Sequence, residues 1–81
     1  HECVIGDGVH LSPGTHLAGR VTVGRGTAVG IGSVARDGVR IGAGCIIGAG
    51  SVIVSDLPDH VVAYGVPARV ISTTHNETQE V

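Results

Sequence analysis

The sequence contains no phenylalanine, tryptophan or methionine, and a single tyrosine. A domain of 81 residues buries a modest share of its surface in any case, and without large side chains it has little to fill a central core. A compact single-core globule is therefore disfavoured. Charge is also sparse, with five Lys plus Arg against seven Asp plus Glu and a net charge of −2. That excludes the basic footprint of a nucleic-acid binder. No apolar run approaches a membrane span, and no secretory signal precedes the first pattern. The length allows at most one domain. The chain opens on His1 and not on methionine, which reads as a fragment of a longer protein.

What the sequence does have is glycine, 14 of them, in a strict rhythm. From Ile5 to Pro58 it reads as nine six-residue units without insertion. The units open at Ile5, Leu11, Leu17, Val23, Val29, Ala35, Ile41, Ile47 and Ile53, all apolar. Gly6, Gly24, Gly30, Gly42 and Gly48 follow an opener, and Gly8, Gly14, Gly26, Gly32, Gly38, Gly44 and Gly50 take the fourth place. The fifth place is small or β-branched from Val9 to Ser51 and ends on Leu57. A repeat of six predicts a parallel β-helix, in which each coil needs only its neighbours for stability. Openers and fifth places should point inward, and places two to four should form corners, where glycine accepts positive φ without a Cβ penalty.

Three units make one triangular coil, so the nine units predict three coils. Residues eighteen apart then stack about 4.8 Å from one another. One corner column reads His1, Gly19, Asp37, Ser55, a second Asp7, Arg25, Ala43, and a third Pro13, Ile31, Ala49, Pro67. Outward sixth places give one face of Val4, Thr22, Arg40 and Pro58, a second of His10, Ala28 and Ile46, and a third of His16, Val34 and Val52. The last two are apolar for outward surface and predict burial between subunits. Asp56 to Asp59 breaks the period, Val61 to Ile71 should cap the coil with a turn at Gly65-Val66-Pro67, and residues 72–81 read as a polar, disordered tail. Asn76-Glu77-Thr78 matches a glycosylation acceptor, read as chance without a secretory signal. Cys3 and Cys45 fall at inward places roughly 11 Å apart along the axis, too far for a disulfide. Two buried thiols fit a reducing, cytoplasmic setting.

Few residues can do chemistry. His1 can take a proton from an attacking amine or hydroxyl, and the neighbouring Glu2 can fix its tautomer and raise its basicity. Gly19 stacks one rung above His1, where its backbone N–H is open to a developing oxyanion. A terminal histidine is equally what the end of an affinity tag leaves. His10 lies on a face predicted to be an interface, where it can contact an acyl donor or bond across subunits. His16 reads as interface packing, and His60 and His75 as surface. Shared metal sites need histidines that converge, whereas His10 and His16 lie on different faces, so no metal is expected.

From His1-Glu2-Cys3-Val4-Ile5-Gly6-Asp7-Gly8 through His10, Pro13-Gly14 and Leu17-Ala18-Gly19, the chain resembles the β-helix domain of sialic-acid O-acetyltransferase-type (NeuD-type) sugar acyltransferases. That group includes UDP-4-amino-sugar N-acetyltransferases. Ile41 to Val52 and Gly65-Val66-Pro67-Ala68-Arg69-Val70-Ile71 continue the resemblance, which spans 1–71. It implies a left-handed β-helix, a homotrimer, acetyl-CoA as acyl donor and a nucleotide-sugar or sugar acceptor. It also implies His1 as general base, Glu2 as the residue enhancing its basicity and Gly19 as the amide facing the thioester oxygen. His10 takes the place of a histidine touching acetyl-CoA, and Ile31 and Ala49 the place of residues holding the pantetheine arm. Members of the group usually carry an N-terminal Rossmann-like domain that binds the nucleotide sugar, and nothing in this sequence resembles it, so the acceptor stays open.

The leading expectation is thus an acetyl-CoA-dependent sugar N- or O-acetyltransferase domain working by direct attack on the thioester. Xenobiotic-type hexapeptide acyltransferases resemble the chain less, because they interrupt the coil with a long loop. A non-catalytic trimerising module is the rival from another class, and a γ-type carbonic anhydrase would need more histidines.

Overall fold

The structure, a computed structural model, describes residues 2–74. Its elements are all strands: β1 (Val4–Ile5), β2 (His10–Leu11), β3 (His16–Leu17), β4 (Thr22–Val23), β5 (Ala28–Val29), β6 (Val34–Ala35), β7 (Arg40–Ile41), β8 (Ile46–Ile47), β9 (Val52–Ile53), β10 (Val61–Gly65) and β11 (Ala68–Thr73). They stack into three sheets, β1-β4-β7, β2-β5-β8-β10-β11 and β3-β6-β9, which are the first, second and third faces of a left-handed parallel β-helix of about three coils. Every strand from β1 to β6 pairs in parallel with the strand three along, Val4 with Thr22 and Thr22 with Arg40, a step of eighteen residues. His10 pairs with Ala28 and Ala28 with Ile46, and His16 with Val34 and Val34 with Val52. The outward faces expected from the period are therefore the observed ones, up to the third coil.

Inside, Val21, Val23, Val29, Ala35, Ile41, Cys45, Ile47 and Ile53 are each at most 2% exposed. Their stacking shields a narrow apolar axis without any aromatic residue. Ile5 and Leu11 on the first coil have a paired rung on one side only, and are 41% and 40% exposed. Three hydroxyls share the interior and tie rungs together. Thr27 Oγ1 donates to the Gly42 carbonyl at 2.7 Å, and Ser33 Oγ to that of Gly48 at 3.0 Å. Ser51 Oγ donates to Gly48 at 2.7 Å and accepts the Gly65 N–H at 3.2 Å. A buried hydroxyl is tolerated where it is bonded in this way. Cys3 and Cys45 are free thiols.

The period shortens after the third coil. Ile41 bridges to Leu57, and Ile46 pairs with Val62, steps of sixteen residues. Pro58 therefore does not stack on Arg40 as the period predicts; Asp56 lies there and accepts the Arg40 N–H at 2.9 Å. Nor does Pro67 continue the Ile31–Ala49 column, because Tyr64 lies over Gly48, where a Cβ on the glycine would come within 2.6 Å of the Tyr64 Cβ. The physical reason is that Leu57 takes an inward place two residues early, 8% exposed, and carries the following chain with it. The cap is an antiparallel hairpin of β10 and β11, turning at Val66-Pro67 through a cis peptide bond. β11 runs two residues past Ile71, so Ser72 and Thr73 belong to the cap and not to the tail. The Asn76 to Thr78 pattern and His75 lie outside the described residues.

Candidate active site at a corner of the coil

Each corner is built by places two to four of a unit. At the third place the backbone carbonyl accepts from the rung above: Gly38 N–H to Gly19 at 2.9 Å, Gly50 N–H to Ile31 at 2.8 Å, Gly44 N–H to Arg25 at 2.9 Å. The third-place N–H makes no such backbone bond. That of Ala43 is taken by Asp59 Oδ1 at 2.8 Å. Those of Gly19, Ile31 and Ala49 donate to no acceptor among the described residues. The corners thus carry open amide donors, as an oxyanion site or a ligand with carbonyl groups requires.

At the corner between the third and first faces, Glu2 (φ 59°) and Arg20 (φ 61°) adopt the left-handed conformation that most fourth places give to glycine, as His60 (φ 58°) does over Gly44 at the next corner. For a residue with a Cβ this costs about 1–2 kcal/mol. Glu2, Gly19, Arg20 and Asp37 line a shallow groove of about 320 Å³ along this corner. Arg20 Nη2 donates to Asp37 Oδ2 on the next rung at 3.0 Å, with the side chains 71% and 56% exposed. Backbone placed in a costly conformation beside an open amide is a mark of a functional site.

Of the residues singled out in the sequence, Glu2 and Gly19 come together in this groove. His1 lies outside the described residues. His10 is exposed and outward on the second face, and Ile31 and Ala49 stack at the corner between the second and third faces. Within one chain these three lie a full face away from Glu2 and Gly19. Ile31 is 56% exposed, and Gly30 keeps the rungs close beneath it, because a Cβ there would come within 2.6 Å of the Ala49 N. The column thus offers small and apolar surface with open N–H donors. Arg20 and Asp37 were not singled out. Their signal was the absence of glycine at the fourth place of the unit opening at Leu17.

A second groove runs along the corner between the first and second faces, past Asp7, Arg25, Asp59 and His60. No three His, Cys, Asp or Glu side chains gather for a metal ion among the described residues. No helix there is long and apolar enough to cross a membrane.

The bacterial transferase hexapeptide (six repeats) family matches residues 21–55. Curated proteins gave no match. Among solved structures, a variant of perosamine N-acetyltransferase from Caulobacter crescentus, in complex with CoA and GDP-perosamine, is 48% identical over 88% of this chain and 34% of its own, with a TM-score of 0.86. The acetyltransferase domain of PglB from Neisseria gonorrhoeae, in complex with acetyl coenzyme A, is 39% identical over 88% of this chain and 35% of its own, with a TM-score of 0.87. UDP-N-acetylglucosamine acyltransferase from Campylobacter jejuni is 29% identical over 99% of this chain and 32% of its own, with a TM-score of 0.91. The chain spans about a third of the length of these structures. Repeat, coil and sequence identity together make the chain similar to the bacterial transferase hexapeptide family, whose repeat it carries over residues 21–55.

Proposed function

We propose that the chain is the acetyl-transfer part of an enzyme that moves an acetyl group from acetyl-CoA to an amino group or hydroxyl of a nucleotide-linked sugar. The observation that carries this reading is the groove lined by both Glu2 and Gly19, whose N–H is open. Its support is the similarity to structures whose bound molecules are CoA, acetyl coenzyme A and GDP-perosamine. In this reading His1 takes the proton of the attacking group and Glu2 raises its basicity. The Gly19 N–H donates to the carbonyl oxygen as negative charge gathers on it. Ile31 and Ala49 receive the pantetheine arm, and His10 contacts the acyl donor. Attack is direct: Cys45 is fully buried, and Cys3 Sγ donates to the Ala18 carbonyl at 3.2 Å, so neither thiol is placed as an acyl carrier.

The catalytic corner and the pantetheine column belong to different corners of the coil. One complete site therefore takes its two halves from two copies. A homotrimer packed through the second and third faces, where Ile46 and Val34 are 44% and 39% exposed, supplies that arrangement. The functional unit is the coil and its cap, residues 1–71 with the end of β11, followed by a polar tail. The setting is the cytoplasm, where acetyl-CoA and nucleotide sugars are available.

The test is calorimetric titration with acetyl-CoA, followed by turnover of GDP- or UDP-linked amino sugars monitored by release of the CoA thiol. Saturable binding and thiol release are expected. A trimer that binds no acetyl-CoA would leave a trimerising module in place of an enzyme.

A further inference from the structure

We propose that Arg20 and Asp37 are specificity-determining residues that hold the acceptor sugar in the groove of Glu2 and Gly19; this rests on the acetyl-transfer reading above. The starting point is the backbone. The fourth place is glycine at Gly8, Gly14, Gly26, Gly32, Gly38, Gly44 and Gly50, with φ between 65° and 79°. Position 20 has the same geometry, φ 61°, and carries an arginine. The coil would close there at less cost with glycine. The ion pair with Asp37 returns little, since both side chains are more than half exposed and water screens them. What the position gains from arginine is therefore a side chain directed at the groove.

The chemistry of that side chain points to a sugar. One guanidinium nitrogen of Arg20 is engaged by Asp37 Oδ2, and the other N–H donors have no partner among the described residues. Asp37 Oδ1 is likewise unpaired among them. The pair thus presents donors and an acceptor side by side. Neighbouring hydroxyls on a hexose each donate one hydrogen bond and accept others, and they match such a pair. Two carboxylates and one guanidinium line the groove, a balance that favours an amine or hydroxyl group over a phosphate. Height fits as well. The Gly38 N–H to Gly19 carbonyl bond sets Asp37 one rung, about 4.8 Å, above Gly19. A single hexose ring spans the distance between an acceptor atom facing the Gly19 amide and hydroxyls facing Asp37.

The experiment compares the intact wild-type protein with Arg20→Gly, Arg20→Lys and Asp37→Asn, reading melting temperature and KM for each substrate, with a nucleotide-linked amino sugar and acetyl-CoA. Arg20→Gly relieves the left-handed conformation, so its melting temperature should be unchanged or higher. Its KM for the acceptor should rise about 10- to 100-fold, the loss of one or two polar contacts, while KM for acetyl-CoA stays the same. Arg20→Lys should fall between, and Asp37→Asn should raise acceptor KM alone. A lower melting temperature with both KM values unchanged would make the pair a clamp between rungs and overturn the proposal. A rise in KM for acetyl-CoA alone would assign the pair to the donor and overturn it too. A wild-type protein that transfers acetyl to no amino sugar removes the functional reading and this proposal with it; active wild type with kinetically silent variants removes the proposal only.

Discussion

Asp59 Oδ1 accepts the Ala43 N–H at 2.8 Å and so takes an amide that stays open at the equivalent places of the other corners. It does this at the point where the chain drops two residues from its period. Asp56 repeats the device on Arg40 at 2.9 Å. Asp59→Ala should lower stability by about 1 kcal/mol, the usual net worth of one hydrogen bond. Asp59→Asn, which keeps the acceptor, should cost less. Urea unfolding at fixed protein concentration checks both.

The interior hydroxyls support a second prediction. Thr27 is fully buried, and its Oγ1 both donates to Gly42 and accepts the Cys45 N–H at 3.0 Å. Thr27→Val preserves shape but leaves a half-buried carbonyl and a buried N–H without that partner. The expected loss is about 1–3 kcal/mol, the cost of stranded polar groups. Thr15→Val should cost less, because Thr15 is only half-buried and its bond to Gly30 is long at 3.5 Å. Equal losses at the two sites would refute the role given to burial.

Much of this architecture was legible before any coordinates. Val23, Val29, Ile41, Ile47 and Ile53 recur at one place of a six-residue unit, and each is at most 2% exposed. A solenoid makes this possible because its contacts are repeats of one local pattern. Where the pattern ends, the legibility ends too. Counting by eighteen set Pro58 over Arg40, and no periodic argument reveals a rung that closes two residues early. Ile5 and Leu11 are apolar like their buried partners Val23 and Val29, and their exposure is a matter of position in the stack. At the site, Gly19 was found because a column rule puts it one rung from position 1, and Glu2 because it neighbours His1 in the chain. Arg20 and Asp37, seventeen residues apart, were missed because they sit at neighbouring places, and the pair joins only through a long side chain crossing the rungs.

The third prediction concerns assembly. Val34 and Val52 pair on the third face, and Ala28 and Ile46 on the second, all outward. Burying Ile46 against a second copy should contribute about 1.5–3 kcal/mol. Val52→Asp would place a charge in that contact and should convert a trimer to monomers in light scattering. Val54→Asp, already 37% exposed and off these pairs, is the control and should leave the mass unchanged.

The last prediction separates the proton acceptor from its neighbour. If His1 is the general base, His1→Ala in the longer protein should lower turnover about 10²–10⁴-fold. Affinity for acetyl-CoA should hardly change, since the residues assigned to it are His10, Ile31 and Ala49. Glu2→Gln keeps the size of the side chain and removes its charge. Because Glu2 acts through the imidazole, this substitution should cost less than loss of His1, and should also move the acid limb of the rate profile. The sign follows from charge: a carboxylate beside an imidazole favours the protonated ring. Without it the ring stays neutral to lower pH, so the rate should persist further into acid while the maximum falls. The wild-type rate should drop as the imidazole protonates. An acid limb that stays where it was in Glu2→Gln would separate Glu2 from the base. Turnover indifferent to His1→Ala would leave the coil and its grooves as described and assign the proton to another group.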